Sequence, residues 1–449
     1  MARLTPRVID AAVAACNPLL KFDRPADRVL SEFFRAHPAL GPADRSIVAE
    51  TAYAVLRRKR YLEHIGESDW PRKFVLTALV TVGGHSVREI ESALKKSEVE
   101  WLQETKARAG AYDPKTVAPG IALDLPDWLI ERLSVRYDAE NLAALARSLG
   151  EAAPLDLRVN VQKMSRDSAL ARLTADGIFG APTPFSHNGI RLRGHPSLAR
   201  HPLMLDGSIE VQDEGSQLIC HLVAPRRGEM VVDFCAGAGG KTLALGAMMR
   251  SSGRIYAFDV SERRLDKFKP RLARSGLSNV HPQWIDSERD PRIGRLSGKI
   301  DRVLVDAPCS GLGTLRRNPD LKWRQKPRDV AELVVKQAAI LASAARLLKV
   351  GGRLIYATCS LLTEENEAVV DAFLAAHPQF GVVDPAAVLA PQEIKIPGLS
   401  GPYLTLDPHR HQTDGFFAAV LERRPVAQVQ EPSTIDQRNI VDEPTNNSA

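Results

Sequence analysis

Met230-Val231-Val232-Asp233-Phe234-Cys235-Ala236-Gly237-Ala238-Gly239-Gly240-Lys241-Thr242 is the stretch that decides the fold. Its first five residues make a mainly apolar run of strand length, and a helical pattern begins at Gly240. The glycines therefore fall on a strand-to-helix turn. Glycine there allows a tight backbone and lets a ligand approach it closely. Gly240-Lys241-Thr242 imitates the end of a phosphate-binding loop, but the first glycine of GxxxxGK[ST] would fall on Cys235, which argues against a nucleotide triphosphatase. A dinucleotide-type GxGxxG is not met either.

Downstream, apolar runs alternate with amphipathic helices: Arg254 to Val260, Val280 to Ile285, Asp301 to Asp306 and Gly352 to Thr358. Such alternation predicts an α/β domain with a mainly parallel sheet covered on both faces. Gly415 to Glu422 is expected to add an antiparallel edge strand. The strand after the glycine turn ends at Asp259, 19 residues after Gly240 (259 minus 240). A carboxylate there can accept hydrogen bonds from both ribose hydroxyls of an adenosine. Asp286 ends the next strand in the same way. Glycines, an acid and a second acid at three successive strand ends fit an adenosyl group held without a phosphate anchor.

Two further strands end in cysteine, as Asp306-Ala307-Pro308-Cys309-Ser310-Gly311-Leu312-Gly313 and as Thr358-Cys359-Ser360. Open α/β sheets bind ligands at the carboxyl ends of their strands, so both thiols should face one crevice. Cys16 and Cys220 read as small buried hydrophobes, and Cys235 as packing near the cofactor. Five cysteines with no CxxC suggest neither a disulfide framework nor a metal site, and a reducing cytoplasm fits best. Val13-Ala14-Ala15-Cys16 imitates a lipoprotein cleavage site, but Asp10 leaves the apolar run before it too short for an export signal. No stretch approaches the roughly 20 apolar residues of a membrane span.

Up to about Gly150 the spacing predicts helices, for example Asp27 to Ala36 and Pro42 to Ile65, which makes residues 1–150 an all-α domain. Residues 151–225 switch to short strand-like runs (Leu155 to Val161, Ile190 to Arg193, Ser208 to Val211) around one helix, Ser165 to Asp176, and read as a small α+β module. Residues 226–424 form the parallel-sheet domain. The tail, 425–449, lacks aromatic residues, is rich in Pro, Gln, Asn and Ser, and is expected to be disordered. A net charge of +6 and a pI near 9.0 favour an anionic partner. The run Arg57-Arg58-Lys59-Arg60 is a candidate phosphate contact or a solvated helix face. Arg316, Arg317, Lys322 and Arg324, with Trp323 as a stacking platform, are either a second contact or a basic helix with a packed Trp.

Taken in order, Cys235 to Thr242, Asp306 to Gly313 and Thr358-Cys359-Ser360 closely resemble the Sun/Nop family of RNA cytosine-5 methyltransferases, including its bacterial ribosomal RNA methyltransferase B members. Arg158-Val159-Asn160 and Val211-Gln212-Asp213-Glu214-Gly215-Ser216-Gln217 extend the likeness, which covers about residues 154–423. Pro25 to Ile65 resembles the helical NusB-like RNA-binding domain of the bacterial members. Where members commonly carry proline before the two glycines, this chain has Ala238. The resemblance implies a Rossmann-like class I methyltransferase domain, S-adenosylmethionine as cofactor, RNA as partner and an RNA-binding role for the small module. It also implies cofactor contacts from Cys235, Ala236, Gly237, Ala238, Gly239, Gly240, Lys241, Asp259, Asp286 and Asp306. Cys359 then matches the nucleophile, and Cys309 matches the cysteine that assists product release. Asp306 matches an aspartate in the pocket, and Lys241 is a candidate cationic neighbour of the thiolate or a phosphate-facing lysine.

Carbon 5 of cytosine is a poor nucleophile until a thiolate adds at carbon 6, so a methyl donor and a thiol belong together in such a site. A DNA cytosine-5 methyltransferase would use the cysteine of the Pro-Cys element, and Thr358-Cys359-Ser360 argues against it. A non-catalytic RNA assembly factor is the reading from another class, and the retention of both thiols opposes it. Small-subunit ribosomal RNA is the expected substrate, with transfer RNA as the alternative. The chain is expected to act as a cytoplasmic monomer without metal.

Overall fold

The computed structural model describes residues 4–425. The tail expected to be disordered, from residue 426 on, lies outside the described residues.

Four short strands, β1 (Asp156–Val159), β2 (Gly180–Pro182), β3 (Gly189–Leu192) and β4 (Ile209–Val211), form an antiparallel sheet in the order β2-β3-β1-β4. The helix Arg166–Ala175 accompanies it, and the Ser165 side chain caps its first turn. The second sheet holds eight strands: β5 (Met230–Asp233), β6 (Arg254–Asp259), β7 (Val280–Trp284), β8 (Ile300–Asp306), β9 (Leu348–Thr358), β10 (Phe380–Val383), β11 (Tyr403–Leu406) and β12 (Phe416–Arg423). Strands β5 to β9 pair in parallel and β12 runs antiparallel to β9. Successive side chains on a strand face opposite sides, and the core divides accordingly. Val231, Leu304, Ile355 and Ala418 fill one face, whereas Val232, Val303, Tyr356 and Phe417 fill the other.

One expectation needs correction. β12 is an interior strand, because β10 and β11 pair end to end along its outer side. Those two strands are four residues each, too short for the period-2 pattern to stand out.

The N-terminal third is helical from Pro6 to Leu149, in several short pieces. Pro42 to Ile65 is broken at Arg58 (φ −114°, ψ 27°) into the helices Pro42–Arg57 and Lys59–Gly66. Residues Val8 to Leu102 share one apolar core. The helices Asp127–Leu133 and Ala139–Leu149 do not join it. Leu129, Leu133, Leu142 and Leu145 pack instead with Leu312, Leu315, Leu361 and Leu362, beside the two cysteine loops.

The basic run is spent on this junction. Arg57 donates to the Arg316 carbonyl (3.2 Å), Arg58 pairs with Asp124 (3.2 Å) and Arg60 pairs with Asp127. From the other side, Lys322 Nζ donates to the carbonyls of Arg57 (2.8 Å) and Asp124 (2.7 Å), and the Trp323 indole donates to that of Leu56 (2.8 Å). Arg316 and Lys322 are buried. The phosphate-contact reading fails for Arg57, Arg58, Arg316 and Lys322, since these groups hold protein carbonyls and carboxylates, and Trp323 is the packed Trp of the plainer reading. Sequence spacing identifies the charges but not the surface they meet.

Burial lowers the Lys322 pKa to about 8, with Asp124 opposing and Arg58 and Arg57 adding to the shift. The native lysine thus sheds its proton near pH 8 and the unfolded one near 10.5, so between these values unfolding takes up protons and stability rises with pH. In urea melts, the stability of the wild type relative to Lys322→Met should therefore increase across that window. A flat difference would mean that Lys322 is not a desolvated ammonium.

Candidate active site

Strand β5 is followed by a turn in which Gly237 has φ +57° and Gly239 has φ +80°. The two glycines serve different ends. A Cβ on Gly239 would sit 2.1 Å from the Phe268 ring, so this glycine lets the loop pack on its own domain. A Cβ on Gly237 would meet nothing within 4 Å, which leaves an open cradle at the strand end. Beside it Asp259, buried at the end of β6, accepts from the backbone N–H groups of Gly237 (2.8 Å) and Ser261 (2.7 Å). Each carboxylate oxygen can accept more than one bond, so Asp259 both shapes the cradle and can receive a ligand hydroxyl.

The loop is also held from outside by residues that the sequence reading did not place there. The buried Arg158 of β1 donates to the Gly240 carbonyl (2.6 Å) and to Gln212. Arg271 donates to the Ala238 carbonyl (2.6 Å) and pairs with Glu210 (2.8 Å). Asn160 donates to the Gly207 and Ser275 carbonyls, which ties the small sheet to the helix Glu262–Ser275. The Arg158-Val159-Asn160 motif therefore joins the small module to the glycine loop. Asp286 lies just past β7 with its side chain 66% exposed, 4.0 Å from Arg292.

At the ends of β8 and β9 the two thiols meet, with Cys309 Sγ 3.4 Å from Cys359 Sγ. The Cys309 thiol is pushed well up by its hydrogen bond to Cys359, by burial and by the charges of Cys359 and Glu365. Cys309 is therefore held as a thiol. Burial raises Cys16 and Cys220 to about 12 and, with Asp233, Asp306 and Asp259 nearby, lifts Cys235 well above the usual thiol range. Lys241 Nζ donates to Asp306 Oδ2 at 2.6 Å and lies 5.5 Å from the Phe416 ring centre. Burial works to lower its pKa, but Asp306 and the nearby thiols outweigh that and leave it raised. Lys241 is a largely buried, paired ammonium rather than a solvated one, with its side chain 11% exposed. Among the described residues no group of three or more His, Cys, Asp or Glu is placed to hold a metal ion, and no helix is long and apolar enough to cross a membrane.

Residues 220–422 match the family described as 16S rRNA methyltransferase RsmB/F, and residues 125–199 match an RsmF/B-like, ferredoxin-like domain. A probable ribosomal RNA small subunit methyltransferase B of Synechocystis sp. is 31% identical over 436 residues, which cover 89% of this chain and 96% of that one. The chain belongs to the RsmB/F family of 16S rRNA methyltransferases. The ribosomal RNA small subunit methyltransferase B of Yersinia pestis is 34% identical over 299 residues, 67% of this chain and 66% of that one. Among solved structures, PH0851 superimposes with a TM-score of 0.74 at 28% identity, covering 94% of this chain and 99% of that one. A methyltransferase homolog protein from Pyrococcus horikoshii gives 0.59 at 29% identity, covering 70% and 100%.

This RsmB/F member is thus an RNA methyltransferase, and S-adenosylmethionine is its cofactor. The open cradle at Gly237, with a buried carboxylate beside it and no phosphate-binding loop, fits that group.

Proposed function

We propose that this protein methylates carbon 5 of a cytosine in small-subunit ribosomal RNA through a covalent bond between Cys359 and the base. The observation that carries this is the thiol pair, 3.4 Å apart at adjacent strand ends, with the Lys241–Asp306 ion pair also at the strand ends. S-adenosylmethionine supplies an electrophilic methyl group, held by the loop Cys235 to Lys241 and by Asp259, with Asp286 at the rim. Cys359 Sγ adds to carbon 6 and makes carbon 5 nucleophilic. That addition moves negative charge onto the ring, and the Lys241 ammonium, fixed by Asp306, is the positive group placed to receive it. After methylation a water molecule in the crevice takes the carbon 5 proton, and the electron pair left behind re-forms the ring double bond as Cys359 leaves as thiolate. The Cys309 thiol then donates its hydrogen bond to the departing thiolate. A paired cytosine hides carbon 6 in the stack, so the target lies in a loop or is flipped out at a cost of roughly a few kcal/mol. The helical N-terminal region and the small module would supply further RNA contacts.

The test is to incubate the protein with 16S ribosomal RNA and methyl-labelled S-adenosylmethionine, then to digest the RNA to nucleosides. Label in 5-methylcytidine is expected; label in another nucleoside, or only in transfer RNA, overturns the reading. Asp259→Ala should weaken S-adenosylmethionine binding at least about tenfold, because a hydrogen bond to a charged group is worth about 1.5 to 3 kcal/mol and the Gly237 turn loses its acceptor as well. Calorimetry measures this directly, and unchanged affinity would remove Asp259 from the cofactor site.

A further inference from the structure

Strands β8 and β9 stop pairing at Asp306 and Ala357; beyond them the Ala307 N–H donates to the Ala357 carbonyl and the Gly313 N–H to the Cys359 carbonyl (both 2.8 Å). Neither bond reaches the backbone on the Cys309 side close to its thiol, so the spacing of the two thiols depends on further contacts. Glu365 is placed to do so. Its side chain has no exposed surface. One carboxylate oxygen accepts from the backbone N–H of Ser310 (2.8 Å) and from Gln337 Nε2 (3.0 Å). The other accepts from the hydroxyls of Ser310 (2.5 Å) and Ser360. Ser310 and Ser360 are the residues that directly follow Cys309 and Cys359. Gln337 also donates to the carbonyl of Pro308 (2.9 Å), the residue before Cys309. The Glu365 backbone is itself held, since the Tyr356 hydroxyl donates to its carbonyl (2.6 Å). A carboxylate out of water is tolerated only when its lone pairs are engaged, and here the donors come from both cysteine loops.

We propose that Glu365 is a positioning residue that sets the working separation of the two thiols by bridging their loops. The proposal rests on the reading of Cys309 and Cys359 as the reacting pair. It acts through hydrogen bonds rather than charge, so glutamine should replace it. The amide oxygen would accept from Ser310 N–H and Gln337, and the amide nitrogen would donate to two hydroxyls that can rotate to receive it.

The full-length protein is compared as wild type, Glu365→Ala and Glu365→Gln by two measurements. One is methyl transfer, separated into kcat and the KM for S-adenosylmethionine. The other, made without RNA, is the rate at which diamide joins Cys309 to Cys359, in which each thiol gives up its hydrogen to the diamide N=N bond. Glu365→Ala should lower kcat on the order of 100-fold, the usual consequence of about 1 Å of misplacement, with KM within about twofold and cross-linking slowed about tenfold. Glu365→Gln should restore both rates to within a few fold. Wild-type rates in Glu365→Ala, or an equal loss in Glu365→Gln, would overturn the proposal. If Glu365→Ala does not fold, Ser310→Ala and Ser360→Ala each remove donors from one loop; slower cross-linking in both supports the bridge and none in either sinks it. Slowed cross-linking rescued by glutamine still supports the bridge if Cys359→Ala continues to methylate, a result that would remove only the thiol mechanism.

Discussion

Cys359→Ala is expected to abolish both methyl transfer and any covalent protein–RNA adduct, whereas Cys309→Ala should accumulate an adduct that survives denaturing electrophoresis. The two outcomes follow from the different steps proposed for two thiols only 3.4 Å apart. Cys309 is pushed well up by its hydrogen bond to Cys359, by burial and by the charges of Cys359 and Glu365, so it is held as a thiol, and attack is proposed for Cys359, the cysteine that matches the family's nucleophile. Loss of the Cys309 hydrogen bond leaves attack possible but makes the Cys359 thiolate a poorer leaving group, and elimination stalls. The reverse pattern, no adduct in Cys309→Ala and adduct retained in Cys359→Ala, would assign the roles in the order of the DNA enzymes. Normal methylation in both variants would end the thiol mechanism.

The second large effect concerns Asp306. Asp306→Ala leaves the Lys241 ammonium, 11% exposed, without its carboxylate, and breaking such a pair typically costs about 3 kcal/mol. Methyl transfer should fall on the order of 100-fold as Lys241 loses its charge or its place. Asp306→Asn separates these causes by pH. In the wild type the Lys241 pKa is raised above its ordinary 10.5, so its charge, and the stability it contributes below that value, are lost only as pH rises through the folded pKa. In Asp306→Asn the largest opposition to burial is removed, so the ammonium loses its proton at lower pH. The alkaline limb of the rate profile should move down with it. An unmoved limb would show that Lys241 does not act as a cation in turnover.

The glycine turn, the parallel strands, the acids and the two cysteine-ended strands follow from sequence alone, because each is a local pattern: periodicity, glycine at a forced φ, and polar residues at strand ends. Where those patterns pointed, the structure has the thiols together and Lys241 on Asp306. What a residue meets across the fold is not local. Glu365 lies in Thr363-Glu364-Glu365-Asn366, outside every motif singled out in the sequence, and only packing makes it the bridge between two loops. Arg158 stands 82 residues from the carbonyl it holds, and Arg57 stands 259 from its own. The sequence by itself determined the class of fold, the strand ends that carry chemistry and the residue types available there. Tertiary structure alone decided which charges face solvent and which helices join which core. It also decided which thiols burial raises, since burial and hydrogen bonding depend on neighbours that chain distance does not reveal.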